Sequence, residues 1–386
     1  MSDPTASGSE SVFANARIVL ADEVLNGHVR VRDGRIVEIG TGAVPAGAED
    51  LAGDYLLPGL VELHTDHVEG HLAPRPKVRW NPVAAVLAHD AQIAASGITT
   101  VFDSLRVWPD RRAVGMDGDA PLLATALAEA RAAGALRADH LIHLRCEVAT
   151  DTVVEEAQAI MDAHDVRLVS LMDHTPGQRQ FATIDQFRSY YKKKSGITDE
   201  EMDIIVKARL EFHSRFAREN RASLVAIARD RGIVLASHDD GTDAHVEEAI
   251  GDGVAIAEFP TTHEAAHLSH AAGIRVLMGA PNLVRGGSHT GNVSAQSLAQ
   301  AGLLDILSSD YVPSSLLWAA FDLTQRESQI TLPQAVAMVT RTPAAAASLT
   351  DRGEIAPGKR ADLVRVRLAG ELPVATAVWR EGRRVA

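Results

Sequence analysis

The sequence predicts an α/β protein: a (β/α)8 TIM-type barrel with a small split β-sandwich domain built from the N- and C-terminal segments. Three observations lead there. Eight short apolar runs alternate with stretches of good helix formers, as expected for parallel strands buried on both faces. Ionisable residues recur at the C-terminal ends of those runs, where a barrel gathers its functional groups. The two ends of the chain have a different character, with short strands separated by turn residues.

Taken in order, residues 1–10 look like a flexible tail. Strands are then expected at Val12–Leu20, His28–Arg32 and Arg35–Gly40, the last two joined by the turn pair Asp33-Gly34. Ala361–Leu368 and Ala377–Arg380 have the same texture. Residues 11–57 and 352–386 are therefore expected to form one discontinuous β-domain around a barrel spanning 58–351. The barrel strands are expected at Leu56–His64, Thr99–Asp103, Leu141–Glu147, Arg167–Asp173, Ile233–His238, Ala255–Phe259, Arg275–Gly279 and Leu304–Ser308. Helix formers fill Pro82–Ala95, Pro121–Ala133, Val153–Ala163, Glu201–Asp230 and Gln296–Ala301. Thr198 with Glu201 makes a capping box, and Gly232 supplies a left-handed stop. An open doubly wound sheet is the alternative, but no G-x-G-x-x-G opens the first unit.

Composition narrows the function. With 46% hydrophobic and 23% charged residues, the chain can bury a large core. Its net charge of -13 argues against nonspecific nucleic-acid binding, which needs a basic face. No apolar stretch is long enough for a membrane span, and the tail lacks the basic start and apolar run of a signal peptide. The single cysteine, Cys146, rules out a disulfide framework and a cysteine metal cluster, so a reducing, cytoplasmic setting is expected. A homo-oligomer is left open.

The strand ends carry the chemistry. His64 and Asp66 lie two residues apart, so in extended chain both point to one side, the barrel mouth. Glu147 ends the third strand, His174 follows the fourth, His238 ends the fifth and Asp310 follows the eighth. Each alone is weak, since a lone strand-end histidine is more often solvent-facing than a ligand. Imidazoles and carboxylates converging from separate strands are what a hydrolytic divalent metal requires. The expected ligands are His64, Asp66, Glu147, His174 and His238, holding one or two ions with Glu147 able to bridge a pair. Zinc suits this set first, and Mn2+ or Fe2+ would be tolerated by it. His67 and His263 are left open as further ligands.

These features resemble the amidohydrolase superfamily. The likeness rests on the split β-domain, on Leu57-Pro58-Gly59 leading into His64, and on Gly358-Lys359-Arg360-Ala361-Asp362-Leu363-Val364 returning to the small domain. It implies a mono- or binuclear metal centre and an eighth-strand aspartate, here Asp310, that handles the proton of the attacking water. The usual His-x-His of the first strand is here His64-Thr65-Asp66, which leaves metal identity open. Further blocks resemble the diphosphatase branch of phosphonate catabolism: Pro74-Arg75-Pro76, His89-Asp90-Ala91-Gln92, Asp173-His174-Thr175-Pro176-Gly177-Gln178 and Arg285-Gly286-Gly287-Ser288-His289. That likeness implies a small phosphorylated sugar substrate carrying a triphosphate. A polyanion needs cationic and backbone donors at the mouth, and Arg75, Gln178, Arg179, Asn282, Arg285 and His289 are expected to supply them. Lys192–Lys194 could add charge or simply be a solvated surface run. The rivals are an amidohydrolase acting on a cyclic amide, N-acyl group or aminated base, and a metal-free binding scaffold. The strand-loop bases argue against the first, and the retained ligand types against the second.

Overall fold

The computed structural model describes residues 10–44, 46–75, 77–108, 119–195, 198–287 and 291–386, apart from the side chains of 192–195. Eight parallel strands form the barrel: β1 (Leu60–Thr65), β2 (Ile98–Val107), β3 (Asp139–Glu147), β4 (Val166–Met172), β5 (Val234–His238), β6 (Ile256–Glu258), β7 (Arg275–Gly279) and β8 (Ile306–Ser308). Each pairs with the next from β1 to β8. Val61, Leu63, Phe102, Leu168, Ala236, Ile256, Leu277 and Ile306 fill the interior, together with Ala344 of the helix Arg341–Ala346 and Ala347 just after it.

The first predicted strand is in fact two. Tyr55–Pro58 belongs to the terminal sheet and β1 to the barrel, with the break at Gly59. A Cβ at Gly59 would collide with the Thr99 side chain, so the chain can cross between the sheets there only without one.

The seam between β8 and β1 is closed by side chains. Ser308 Oγ shares its single hydrogen between the His64 carbonyl, 2.6 Å away, and Glu62, and Thr65 Oγ1 donates 2.7 Å to the carbonyl of Asp310. Glu62, fully buried, accepts from His64 N and Ser308 Oγ, each at 2.7 Å, and from Ser309 N at 2.5 Å. Leu307 N and Val61 N find the carbonyls of Met338 and Val339, so a short segment completes the wall between the two strands.

The helices follow local rules. Asn81 caps Pro82–Ala95, accepting from Ala84 N, with proline at the first position. The Thr198–Glu201 capping box is present. The long helix expected over Glu201–Asp230 is Asp199–Phe212 and Arg218–Arg231, joined by a π-helical turn at His213–Ala217 and ended by Gly232 at φ 65°. Such turns re-aim one side chain, and here His213 Nδ1 reaches Asp173 at 2.7 Å.

The terminal segments form one sheet. The chain leaves it at Pro58 and returns antiparallel at Leu363, directly opposite. Two strands lie between Glu10–Val19 and Leu372–Arg380, which in a flat sheet would separate them by about 14 Å. Yet the Phe13 and Trp379 rings are 4.7 Å apart. The sheet therefore folds over its own apolar face, and Ile36 N to Lys359 O together with Ala361 N to Gly34 O tie its far edge back. The sandwich-like core of the small unit comes from that curl.

Candidate metal and substrate site at the barrel mouth

Three histidines meet at the C-terminal ends of β1, β4 and β5. The His64 and His238 ring centroids are 5.5 Å apart, and those of His174 and His238 are 5.8 Å apart. Each ring is held through Nδ1 by its own carboxylate. His64 Nδ1 donates to Glu258 at 2.9 Å, His174 Nδ1 to Glu147 at 2.6 Å and His238 Nδ1 to Asp239 at 2.7 Å. With Nδ1 carrying the hydrogen, Nε2 is left as the lone-pair nitrogen in all three. His238 Nε2 is buried with no protein partner. Carboxylate-braced imidazoles of this kind are how proteins orient metal ligands, so the residues present fit a divalent ion. Burial, and then the charges of Arg145 and His238, hold His64 well below its ordinary pKa, which keeps its ring neutral.

The backbone around these rings is unusual. Asp239 at φ 59°, Phe259 at φ 54° and Asp310 at φ 52° all sit in the left-handed region just past β5, β6 and β8. Such a conformation costs a non-glycine residue about 1–3 kcal/mol and gathers at functional sites. It turns the Phe259 ring against His64 and His238, at 4.9 and 5.3 Å. Trp108 stacks on His174 from another side.

A pocket opens over the rings, lined by His64, His174, His238, Asp239, Arg145, Asn282, Arg285 and Asp310. Asp310 has its carboxyl pushed up to about 7, by burial and then by the nearby Asp66, with Arg145 opposing.

The expected residues divide clearly. His64, His174, His238, Asn282, Arg285 and Asp310 come together at the pocket. Asp66 instead accepts from Arg145 Nη1 at 3.1 Å, with Arg106 3.7 Å away, so guanidinium groups take up its carboxylate. Glu147 is fully buried and holds both Nδ1 and the backbone N–H of His174, which places it behind that ring. Arg179 does not line the pocket: its buried guanidinium pairs with Asp240 and with Glu248. Gln178, whose backbone bonds Thr175 and Phe181 in its own loop, and the exposed Arg75 do not line the pocket. His289 lies outside the described residues. His263 starts the helix His263–Ala271 and is not a lining residue. The sixth strand ends instead in Glu258, which holds the His64 ring.

Sequence reasoning missed Glu258, Asp239 and Arg145. The strand-end rule would have found Glu258, since it is the last residue of β6. Alternation would have found Arg145, which shares a face of β3 with His143 and Glu147.

A parallel eight-stranded barrel with carboxylate-braced histidines at its mouth defines a class, the metal-dependent hydrolase barrels. The Amidohydrolase family profile matches residues 99–386, and the chain belongs to that family. Over 377 residues it is 47% identical to alpha-D-ribose 1-methylphosphonate 5-triphosphate diphosphatase of Escherichia coli (strain K12), covering 97% of this chain and 100% of that protein. Among solved structures, N-isopropylammelide isopropylaminohydrolase from Burkholderia multivorans superposes with a TM-score of 0.65 at 18% identity, over 97% of this chain and 98% of that one. The 5-methylcytosine deaminase of Klebsiella pneumoniae gives 0.65 at 16% identity, over the same shares of each chain. These two likenesses speak for the fold alone. No helix among the described residues is long and apolar enough to cross a membrane.

Proposed function

We propose that this chain hydrolyses alpha-D-ribose 1-methylphosphonate 5-triphosphate to the 5-phosphate and diphosphate. The observation that carries the reading is the 47% identity to the diphosphatase along that protein's whole length. The pocket supports it, because Arg145 and Arg285 bring positive charge to a mouth in a chain of net charge -13.

In this reading His64, His174 and His238 hold the metal through Nε2, while Glu258, Glu147 and Asp239 fix the rings. Zinc is the first choice for such imidazoles, with Mn2+ or Fe2+ as alternatives, and one or two ions are admitted. A bound divalent ion supplies charge neutralisation and an activated water at neutral pH. Asp310 takes the proton of the attacking water, from its place beyond β8 in the same pocket as His64 and His238. Arg285 and the side-chain amide of Asn282, whose Oδ1 is already taken by Ala295 N, offer donors to phosphate oxygens. Arg145, paired with Asp66, keeps a buried positive charge beside the reacting centre as negative charge builds on the leaving diphosphate. A cytoplasmic setting goes with this substrate.

The test is phosphorus NMR of the metal-loaded protein with the sugar triphosphate, run beside hydantoins, N-acyl sugars and aminated pyrimidines. Diphosphate and a 5-phosphate monoester should appear together, with the carbon–nitrogen substrates unchanged. Faster turnover of any carbon–nitrogen substrate than of the triphosphate would overturn the reading.

A further inference from the structure

Just beneath the mouth the barrel interior turns polar. β2, β4, β6 and β8 supply Phe102, Leu168, Ile256 and Ile306 to its apolar filling. Two residues on, where alternation returns each strand to the same face, stand Ser104, Ser170, Glu258 and Ser308, all buried. Barrels ordinarily fill such positions with branched apolar side chains. Polar groups there cost stability unless each is hydrogen-bonded. Ser308 belongs to the seam with β1. The other three are joined in one line with His143 of β3, which is also fully buried.

The line starts at His64. Glu258 Oε1 accepts from His64 Nδ1 at 2.9 Å, and Oε2 accepts from Ser170 Oγ at 2.5 Å. A hydroxyl has one hydrogen, so toward His143 Nε2, also 2.5 Å away, Ser170 can only accept. His143 therefore carries a hydrogen on Nε2. Burial favours the neutral ring, so Nδ1 keeps its lone pair, to which Ser104 Oγ donates at 2.9 Å. The opposite tautomer would send Nδ1–H to the Leu63 carbonyl, 3.0 Å away, and leave the single Ser170 hydrogen claimed by both Glu258 and His143.

From this line of contacts we propose that Ser170 and His143 are positioning residues for the metal at the mouth: they hold the second oxygen of Glu258, which fixes the first against His64 Nδ1 and aims His64 Nε2 at the ion. The proposal rests on the metal reading given above. A carboxylate bonded through one oxygen can swing about that bond, and the imidazole swings with it. Glu147 is pinned at both oxygens, by Nδ1 and the backbone N–H of His174. Glu258 is pinned at both as well, with side chains from β3 and β4 in the place of a backbone donor. His64 therefore depends on residues that line no part of the pocket.

The experiment measures Zn2+ dissociation constants by chelator competition, on protein shown to be folded by circular dichroism, for wild type, Ser170→Ala, His143→Leu, the double variant and His143→Gln. Ser170→Ala and His143→Leu should each weaken Zn2+ binding about 10–100-fold, the usual cost of removing a group that orients a ligand, and should shift the visible absorption of the Co2+-loaded protein. The double variant should bind no more weakly than the weaker single one, because both act through Glu258. His143→Gln, whose amide N–H can replace Nε2–H toward Ser170, should recover most of the affinity lost in His143→Leu. Ser170→Ala removes a single atom, so it carries the comparison if His143→Leu does not fold. Wild-type affinity and Co2+ spectrum in Ser170→Ala would overturn the proposal, as would penalties that add in the double variant, and either result leaves the mouth a metal site. Equal losses in His143→Gln and His143→Leu would overturn the role of His143. A wild-type chain that binds no Zn2+, or a His238→Asn variant with wild-type affinity, would overturn the reading of the mouth and the proposal with it.

Discussion

Replacing Glu62 with Gln should destabilise the barrel at the seam between β8 and β1, and the size of the effect follows from its three contacts. Oε1 receives His64 N and Ser308 Oγ, each at 2.7 Å, and Oε2 receives Ser309 N at 2.5 Å. A glutamine side chain has one oxygen. Whichever way its amide turns, the NH2 group meets a backbone N–H, that of His64 in one orientation and that of Ser309 in the other. The carboxyl is raised above its ordinary pKa by burial, against the hydrogen bonds from Ser309, His64 and Ser308. The conflict arises for either protonation state, because both oxygens accept from backbone. One buried N–H loses its acceptor, which costs about 1–3 kcal/mol, and the lost bond itself adds about 1 kcal/mol. The expected loss is about 2–4 kcal/mol. Urea unfolding followed by fluorescence and circular dichroism measures it, as a lower midpoint at unchanged slope. Because the His64 backbone is one of the groups displaced, diphosphate release should fall as well. A stability change within about 0.5 kcal/mol, the range of an ordinary surface substitution, would refute the claim that Glu62 holds the seam.

Two further outcomes rest on other buried pairs and on the pocket. His140 is raised to about 9: burial opposes the shift, and the carboxylates of Asp103 and Asp90 outweigh it. Its folded pKa lies above the unfolded value, so the stabilisation is full below about 6.5 and is lost as pH rises through 9. The loss should reach about 3 kcal/mol, and thermal melts across this range should show it in wild type but not in His140→Gln. A flat wild-type profile would contradict the assignment. Arg285→Ala and Arg179→Ala should separate, since only Arg285 lines the pocket. The first should lower kcat/KM for the triphosphate about 10–100-fold with metal content unchanged. The second strands the buried Asp240 and should cost about 3–5 kcal/mol in denaturant unfolding. Equal effects on both measurements would return Arg285 to a structural role.

Much of this was legible in the sequence because a parallel barrel writes its strands as apolar runs and its chemistry at their ends. His64, His174, His238 and Asp310 were readable by that rule alone. What the rule cannot resolve is which acid faces the pocket and which holds another side chain. Glu147 and Asp66 sit at strand ends as a ligand would, but their partners, the His174 ring and the Arg145 guanidinium, come from other strands. Arg179 failed for a similar reason. A basic residue beside a ligand looks like a substrate contact until Asp240 and Glu248, about sixty and seventy residues later, prove to neutralise it. The π-helical turn at His213–Ala217 left no trace in helix-forming propensity, because the chain stays helical through it. The break at Gly59 was hidden because apolar residues run on both sides of it.

The most direct test of the account is Asp310→Asn. Asp310 lies beyond β8, is half-buried, and lines the pocket with His64 and His238, its carboxyl pushed up to about 7. The substitution keeps size and shape and removes the basicity. Diphosphate release from the sugar triphosphate should be measured beside metal content and equilibrium binding of a non-hydrolysable triphosphate analogue. Turnover should fall by about 10²–10⁴, the usual cost of removing a positioned base, while metal and analogue binding persist. Near-full turnover in Asp310→Asn would contradict it.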